Sequence, residues 1–164
     1  MLLLAAVALM AWPVVGATVR MSPSSTSSSG APAGKRGIPD AALQRAFRLA
    51  VPAGAGDASY LVMPGDDSAE GGQDLYLRFR TTPAGLKEFL TSLGKTTGDL
   101  GAGDVVLEQD DIDSVGLRWK IATEGHLAGL YADIPEQGDR AGAARVTVDE
   151  SEVAAPLVYA HMTV

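Results

Sequence analysis

The chain has 164 residues, which is enough for one ordinary domain once two unusual N-terminal stretches are set aside. It contains no cysteine, which excludes disulfides, thiolate metal sites, cysteine nucleophiles and a lipid anchor attached to a cysteine. Its 13 Lys and Arg are outnumbered by 20 Asp and Glu, and the resulting net charge of -7 argues against nucleic acid as a partner.

Residues 1–19 form an uncharged apolar run that ends at Arg20. Its length approaches the roughly 20 residues that span a bilayer as a helix, so we expect a membrane or export segment. Two interpretations stay open: a single-pass anchor in the cell membrane, or a signal peptide cleaved near Ala17 that leaves a secreted protein. Lys35 and Arg36, which follow the run, would by charge bias favour a cytoplasmic side instead.

Residues 20–37 consist almost entirely of Ser, Thr, Gly, Ala and Pro. Such a composition buries too little apolar surface to offset the entropy lost on ordering, so it predicts a flexible linker. A linker between an apolar span and a folded module is typical of extracytoplasmic domains, and we expect that domain at 38–164.

The first part of the predicted domain contains a short helix and two strands. Apolar residues at helical spacing after Asp40 predict a helix over 40–48, which Pro52 would stop. Residues 59–63 form a short apolar run, residues 74–81 place Leu75, Leu77, Phe79 and Thr81 on one face, and together they predict a pair of half-buried strands.

A second helix is predicted over 83–93. Thr82 and Pro83 supply the N-cap and the first helical position, and Gly94 supplies the end. Its apolar face has the i, i+3, i+4, i+7 spacing and consists of Leu86, Phe89, Leu90 and Leu93.

The stretch 95–116 is rich in Gly and Asp and predicts a loop, with a short strand near Val105 to Leu107. Beyond it, alternating patterns predict four further strands, at 117–121, 127–134, 144–148 and 156–164, and the final two could form a hairpin. Together these elements predict an α+β fold: a mostly antiparallel sheet of five or six strands with one or two helices on one face.

Three stretches carry a resemblance: "FRLAVPAGAGDASYLVM", "DLYLRFRTTPAGLKEFLTSLG" and a later Gly-Leu-Arg-Trp. Across residues 45–121 the chain resembles small uncharacterised exported proteins and lipoproteins of actinomycetes. The resemblance implies export but no particular activity. The lipobox cysteine of such proteins is missing, so membrane attachment would depend on residues 1–19.

Two sequences with catalytic spacing fail when their surroundings are considered. Gly94-Lys95-Thr96 matches the end of a phosphate-binding loop, but Phe89 stands where the first glycine of that motif belongs. Ser92 and Lys95 have the spacing found in penicillin-binding enzymes, but Ser92 would close a helix instead of opening one.

The acidic run Glu108, Asp110, Asp111 and Asp113 could present oxygens to calcium, and Asp111-x-Asp113 with Gly116 mimics half of an EF-hand loop. Val115 and Ala122 then occupy positions that need oxygen ligands, so a solvated acidic loop is favoured over a metal site. The sequence predicts no metal and no cofactor.

Strand alternation gathers basic, tyrosine and histidine side chains on the sheet face opposite the apolar one. The residues assigned to that face are Tyr76, Arg78, Arg80, Arg118, Lys120, Arg145, Tyr159 and His161. Such a face is a candidate binding surface for an anionic ligand. The alternative is that the long basic side chains cover an exposed sheet and pair with nearby carboxylates.

The leading functional hypothesis is a non-enzymatic extracytoplasmic binding or accessory module, tethered at the cell surface and contacting an anionic polymer there. One alternative is a hydrolase of cell-wall or extracellular substrates that uses His126 or His161 with nearby Asp residues. Another is a structural partner of a membrane protein, which would need an exposed apolar patch.

Overall fold

The computed structural model describes residues 34–65, 72–137 and 140–164. The predicted span 1–19 and most of the predicted linker 20–37 lie outside the described residues. No helix in the described part of the chain is both long enough and apolar enough to cross a bilayer.

Within the described residues, the strands form one seven-stranded antiparallel sheet. In chain order they are β1 (Lys35–Arg36), β2 (Gly56–Pro64), β3 (Gln73–Arg80), β4 (Gly101–Ala102), β5 (Leu127–Gln137), β6 (Arg140–Asp149) and β7 (Leu157–Thr163). Their order across the sheet is β1-β2-β3-β7-β6-β5-β4. The predicted α+β fold with a mostly antiparallel sheet is therefore confirmed, but the sheet has seven strands instead of the predicted five or six, because the two-residue strands β1 and β4 join its edges. The pairing of β6 with β7 confirms the final hairpin.

Two of the helices are those that the sequence predicts. In α1 (Ala41–Ala46) the Asp40 carboxylate accepts hydrogen bonds of 2.9 Å from the N–H groups of Ala42 and Leu43. In α2 (Pro83–Ser92) the Thr82 hydroxyl accepts a 3.1 Å hydrogen bond from the Gly85 N–H. These caps satisfy donors that a helix start leaves without intrahelical partners, and so they fix where both helices begin.

A third helix, α3 (Gln109–Ser114), lies in the predicted loop 95–116, together with the short strand β4. The predicted strand 117–121 is wrong, because these residues are irregular. The Gln109 amide donates to the Trp119 carbonyl and accepts from the Ile121 N–H, each at 3.0 Å. The Gln109 side chain thus forms hydrogen bonds with the backbone groups that would otherwise pair with a neighbouring strand.

One face of the sheet packs against α1 and α2. Phe79 of β3 meets Phe89 of α2 edge to face, with ring centroids 5.1 Å apart. The same core receives inward residues from the central strands, including Leu75, Leu77, Val146, Val158, Ala160 and Met162. Alternation correctly assigns these residues to the helix-covered side.

The opposite face is covered as well, which corrects the expectation that helices protect one face only. We call residues 105–121 the covering segment, because its apolar residues pack against side chains of β2, β3 and β7. From the covering segment this second core contains Leu107, Ile112, Leu117 and Ile121, and from the sheet it contains Leu61, Tyr76, Leu157 and Tyr159.

The covering segment is attached to the sheet by the fully buried Thr147 of β6. Its hydroxyl accepts hydrogen bonds from the N–H groups of Val106 (3.1 Å) and Leu107 (2.9 Å), and donates to the Leu107 carbonyl at 3.3 Å. Gly129 of β5 allows the close approach, since a Cβ there would lie 2.8 Å from the Asp104 carbonyl oxygen. The Thr147 hydroxyl and the lack of a Cβ at Gly129 therefore position the covering segment.

Candidate functional site

The predicted basic face is not an open surface. Its two tyrosines lie beneath the covering segment, Tyr76 with 6% and Tyr159 with 1% of its surface exposed. The strands still carry Arg78, Arg145 and His161 on this side, as alternation predicts. The result is a partly buried group of charges between the sheet and the covering segment.

Arg145 is the centre of this group. Its guanidinium makes a two-pronged contact with the Asp111 carboxylate of α3, with hydrogen bonds of 3.2 and 3.0 Å. It also donates to Nδ1 of His161 at 3.0 Å. Beyond His161, Nε2 lies 3.6 Å from the Asp74 carboxylate, outside hydrogen-bond distance. We call Asp74, Asp111, Arg145 and His161 the Arg145 cluster.

His161 is held as a neutral imidazole in this cluster. Burial lowers its pKa, the positive charge of Arg145 lowers it further, and the carboxylates of Asp74 and Asp111 oppose both effects. Because arginine has only donors to offer, Nδ1 must accept and Nε2 carries the proton. The ring also stacks on Tyr76, with centroids 4.3 Å apart. This arrangement restrains the histidine on both sides.

Arg80 lies on the same side but at the end of β3, where neighbouring loops supply its partners. Its guanidinium contacts the carboxylates of Glu152 at 3.0 Å and Asp57 at 3.7 Å, and donates to the Ala155 carbonyl at 2.7 Å. The positive charge of Arg80 is therefore matched locally, as the alternative interpretation of the basic face expects.

Arg78 differs from Arg80 and Arg145, because no carboxylate in the described part of the chain pairs with it. Its guanidinium carbon lies 5.9 Å from the ring centroid of Tyr159, and its buried Nε has no hydrogen-bond acceptor among the described residues. A cationic donor without an acceptor is costly when it is buried. Arg78 is therefore the side chain of this face best suited to meet an anion.

Arg118 and Lys120 are exposed on the covering segment and not on the sheet, because the predicted strand there does not form. The Tyr159 hydroxyl donates to the Lys120 carbonyl, which brings this part of the segment past the ring that Arg78 also contacts. Burial raises the pKa of Tyr159, so its hydroxyl stays protonated as a donor. The structure thus brings residue 120 close to Arg78 by a route that alternation does not predict.

The two acidic members of the Arg145 cluster are not among the site residues predicted from the sequence. Asp111 falls in the acidic run that was expected to be a solvated loop, and Asp74 begins a predicted strand. Strand alternation could have identified Asp74 as a member of the cluster, since residue 74 lies on the same side of the sheet as His161. Among the described residues, no group of three or more His, Asp or Glu side chains is arranged to hold a metal ion.

Hollows also occur among the described residues outside the Arg145 cluster. A space of about 230 Å³ is lined by the exposed His126 together with Glu150, Thr97 and apolar residues that include Leu86 and Val153. A larger one of about 530 Å³ lies where β4 ends beside β5, and its lining includes Lys95, Asp99, Asp104, Val105 and Tyr131.

Comparison of the chain with protein-family models, with curated proteins and with solved structures gives no match.

Proposed function

We propose that residues 38–164 form a non-enzymatic binding or accessory module, placed outside the cytoplasm by residues 1–37, with an anionic polymer of the cell surface as its ligand. The observation that carries the proposal is Arg78. It is half-buried against the Tyr159 ring, and its Nε lacks an acceptor among the described residues. No carboxylate among the described residues neutralises its positive charge, and an anionic group of a ligand that reaches the guanidinium would do so.

The anion-binding residues in this proposal are fewer than the sequence suggests. Arg80 and Arg145 already form ion pairs with carboxylates, so their positive charges are largely neutralised within the domain. Arg118 and Lys120 are exposed on the covering segment, and the Lys120 carbonyl accepts from the Tyr159 hydroxyl, so in this proposal their charges add to that of Arg78. This basic corner, defined as Arg78, Arg118 and Lys120, is the proposed contact site.

Two geometric facts favour binding over catalysis. The imidazole of His161 is 12% exposed, and its Nδ1 is occupied by Arg145, so a substrate has little access to it. His126, the other histidine of the hydrolase alternative, is exposed beside Glu150, and no side-chain hydrogen bond orients it in the described residues. General acid–base catalysis needs a histidine that is both positioned and reachable by substrate. His161 is positioned but enclosed, and His126 is reachable but not oriented by a side-chain hydrogen bond among the described residues.

The test is a binding titration with a poly(glycerol phosphate) chain, which imitates a teichoic acid. We expect binding that weakens as salt rises, because screening reduces attraction between exposed charges. Replacing Arg78, Arg118 and Lys120 together by Gln should lower the affinity about tenfold or more.

The matched control is Arg80→Gln, which also removes one arginine from this side of β3. Because Glu152 and Asp57 already neutralise Arg80, its loss should change the affinity by less than about twofold. No binding by the unaltered protein, or an equal loss in the Arg80 variant, would contradict the proposal.

A further inference from the structure

Among the described residues, the edge of the sheet at β4 is only partly paired. β4 pairs with β5 at Ala128 and Gly129, and among the described residues no strand continues along β5 beyond that point. The hollow of about 530 Å³ lies at this place, lined by Gly101 of β4 and by Leu130 and Tyr131 of β5. Its lining therefore joins the end of β4 to the first residues of β5 beyond the paired stretch.

Two hydrogen bonds fix which backbone groups face this edge. The His126 carbonyl accepts from the Glu150 N–H on the β6 side at 2.8 Å, and the next carbonyl, of Leu127, accepts from the Gly103 N–H on the β4 side at 2.7 Å. Residues of an antiparallel strand alternate in this way, so the N–H and C=O groups of Tyr131 and Asp133 point to the open edge. Pro135 has no N–H and ends the open stretch.

Exposed apolar side chains accompany the open edge. Tyr131 has 68% and Val105 38% of its surface exposed, and both line the hollow. In the described part of the chain, the other large exposed hydrophobic residue is Val153, which lines the smaller hollow. An aromatic ring beside unpaired backbone groups is the combination that strand addition uses: the backbone supplies hydrogen bonds, and the side chains select the partner.

The charges around the edge are mainly negative. Asp99 and Asp104 line the hollow, Asp133 lies exposed on β5, and Lys95 is the cation opposite them. Hydrogen bonds from Thr96 lower the pKa of Asp99, which keeps that carboxylate ionised. This balance disfavours a second copy of the same acidic edge and favours a partner with positive side chains.

We propose that the open edge of β5 binds an extended peptide segment of a partner protein, a segment that carries Lys or Arg and pairs with Tyr131 and Asp133 by strand addition. The peptide lies in the hollow where β4 stops, with an apolar or cationic side chain over the Tyr131 ring. This inference rests on the proposed function of a binding module, and it adds a protein partner at a site separate from the basic corner.

The test uses the full chain and a heptapeptide of alternating valine and lysine. We expect saturable binding, together with slower hydrogen exchange of the Tyr131 and Asp133 N–H groups. The Ala132 N–H, which points towards β6, serves as the internal reference. The same peptide methylated on alternate backbone nitrogens keeps its charge but should bind about tenfold more weakly, because it cannot complete the hydrogen bonds. A valine and glutamate peptide should also bind at least about tenfold more weakly.

Protein variants separate the backbone contribution from charge. Asp133→Pro removes an outward N–H, which an edge strand tolerates, and should weaken binding about tenfold. Asp133→Asn should reduce the preference for lysine over glutamate, whereas Glu88→Gln, an equal charge change on exposed α2, should have no effect. If Asp133→Pro fails to fold, the methylated peptide on the unaltered protein still decides the matter.

Three results would overturn the inference. The first is equal binding of the methylated and unmethylated peptides, which would reduce the interaction to charge attraction. The second and third results both show slow hydrogen exchange of the Tyr131 and Asp133 N–H groups before any peptide is added, and they differ in how that protection depends on protein concentration. Concentration-dependent protection would identify a second copy as the occupant, and concentration-independent protection would identify the N-terminal segment of the same chain. None of these outcomes bears on polymer binding at the basic corner, so the two proposals fail separately.

Discussion

Replacing Thr147 by Val should detach the covering segment from the sheet. Valine has nearly the same shape, so the change removes one hydroxyl and little packing. The N–H groups of Val106 and Leu107 then lose their acceptor in a fully buried place. An unsatisfied buried donor costs about 1 to 3 kcal/mol, so the two together should lower the free energy of unfolding by about 2 to 6 kcal/mol.

Chemical denaturation of the full chain measures this loss, and Thr147→Ser is the matched control. Serine keeps the hydroxyl and loses a methyl group, so it should cost about 1 kcal/mol. Hydrogen exchange adds a local measurement, since the Leu107 N–H should lose its protection before the core strands lose theirs. A cost below about 0.5 kcal/mol for valine, or a cost no greater than that of serine, would refute the anchoring role of the hydroxyl.

Three further predictions concern packing and pH. Gly129→Ala should destabilise by about 1 to 3 kcal/mol because its Cβ would meet the covering segment, whereas Gly54→Ala, in open space, should stay within about 0.5 kcal/mol in the same denaturation assay. Phe89→Ala should cost about 3 to 5 kcal/mol, and a cost below about 1 kcal/mol would mean that the ring is not in the core. The folded-state pKa of His161 is lowered, so the unfolded chain takes up the proton first and stability falls as the pH drops below about 6.5. His161→Gln should flatten that part of the pH profile, with His126→Gln as the control, and parallel profiles for His161→Gln and the unaltered protein would count against this account.

The helix-covered half of the fold was predictable because its signals are local. In α2 the Thr82–Pro83 start and the i, i+3, i+4 spacing lie within one short stretch, and no distant residue is needed to interpret them. The same is true of β3, where alternation correctly separates the residues of the helix-covered core from Tyr76 and Arg78 on the other face.

The covering segment could not be predicted in the same way, because its conformation depends on distant contacts. Residues 117–121 alternate like a strand, yet the Gln109 amide takes their backbone groups. Alternation correctly predicts the face on which Thr147 lies. Because it is polar, it would be expected to be exposed, and only its hydrogen bonds with Val106 and Leu107 explain its burial. Local patterns carry no information about such partners.

The candidate site was predictable in its strand residues and not in its charge pairing. Register places Arg145 beside His161, as alternation on neighbouring strands implies. That Asp111 neutralises Arg145, while Arg78 has no carboxylate partner among the described residues, depends on how α3 lies over the sheet. The number of charged residues in the sequence does not indicate which arginine has a carboxylate partner.

The place of β7 in the sheet has a consequence for how the chain acquires its fold. β7 is synthesised after every other strand of the sheet, yet it lies between β3 and β6. Until it leaves the ribosome, β1-β2-β3 and β4-β5-β6 are separate ribbons, each with an exposed apolar side that lacks Val158, Ala160 and Met162. Joining them requires β3 to find a strand far away in sequence, a long-range step that slows folding. The two ribbons therefore stay unjoined until β7, the last of the described strands, has been synthesised.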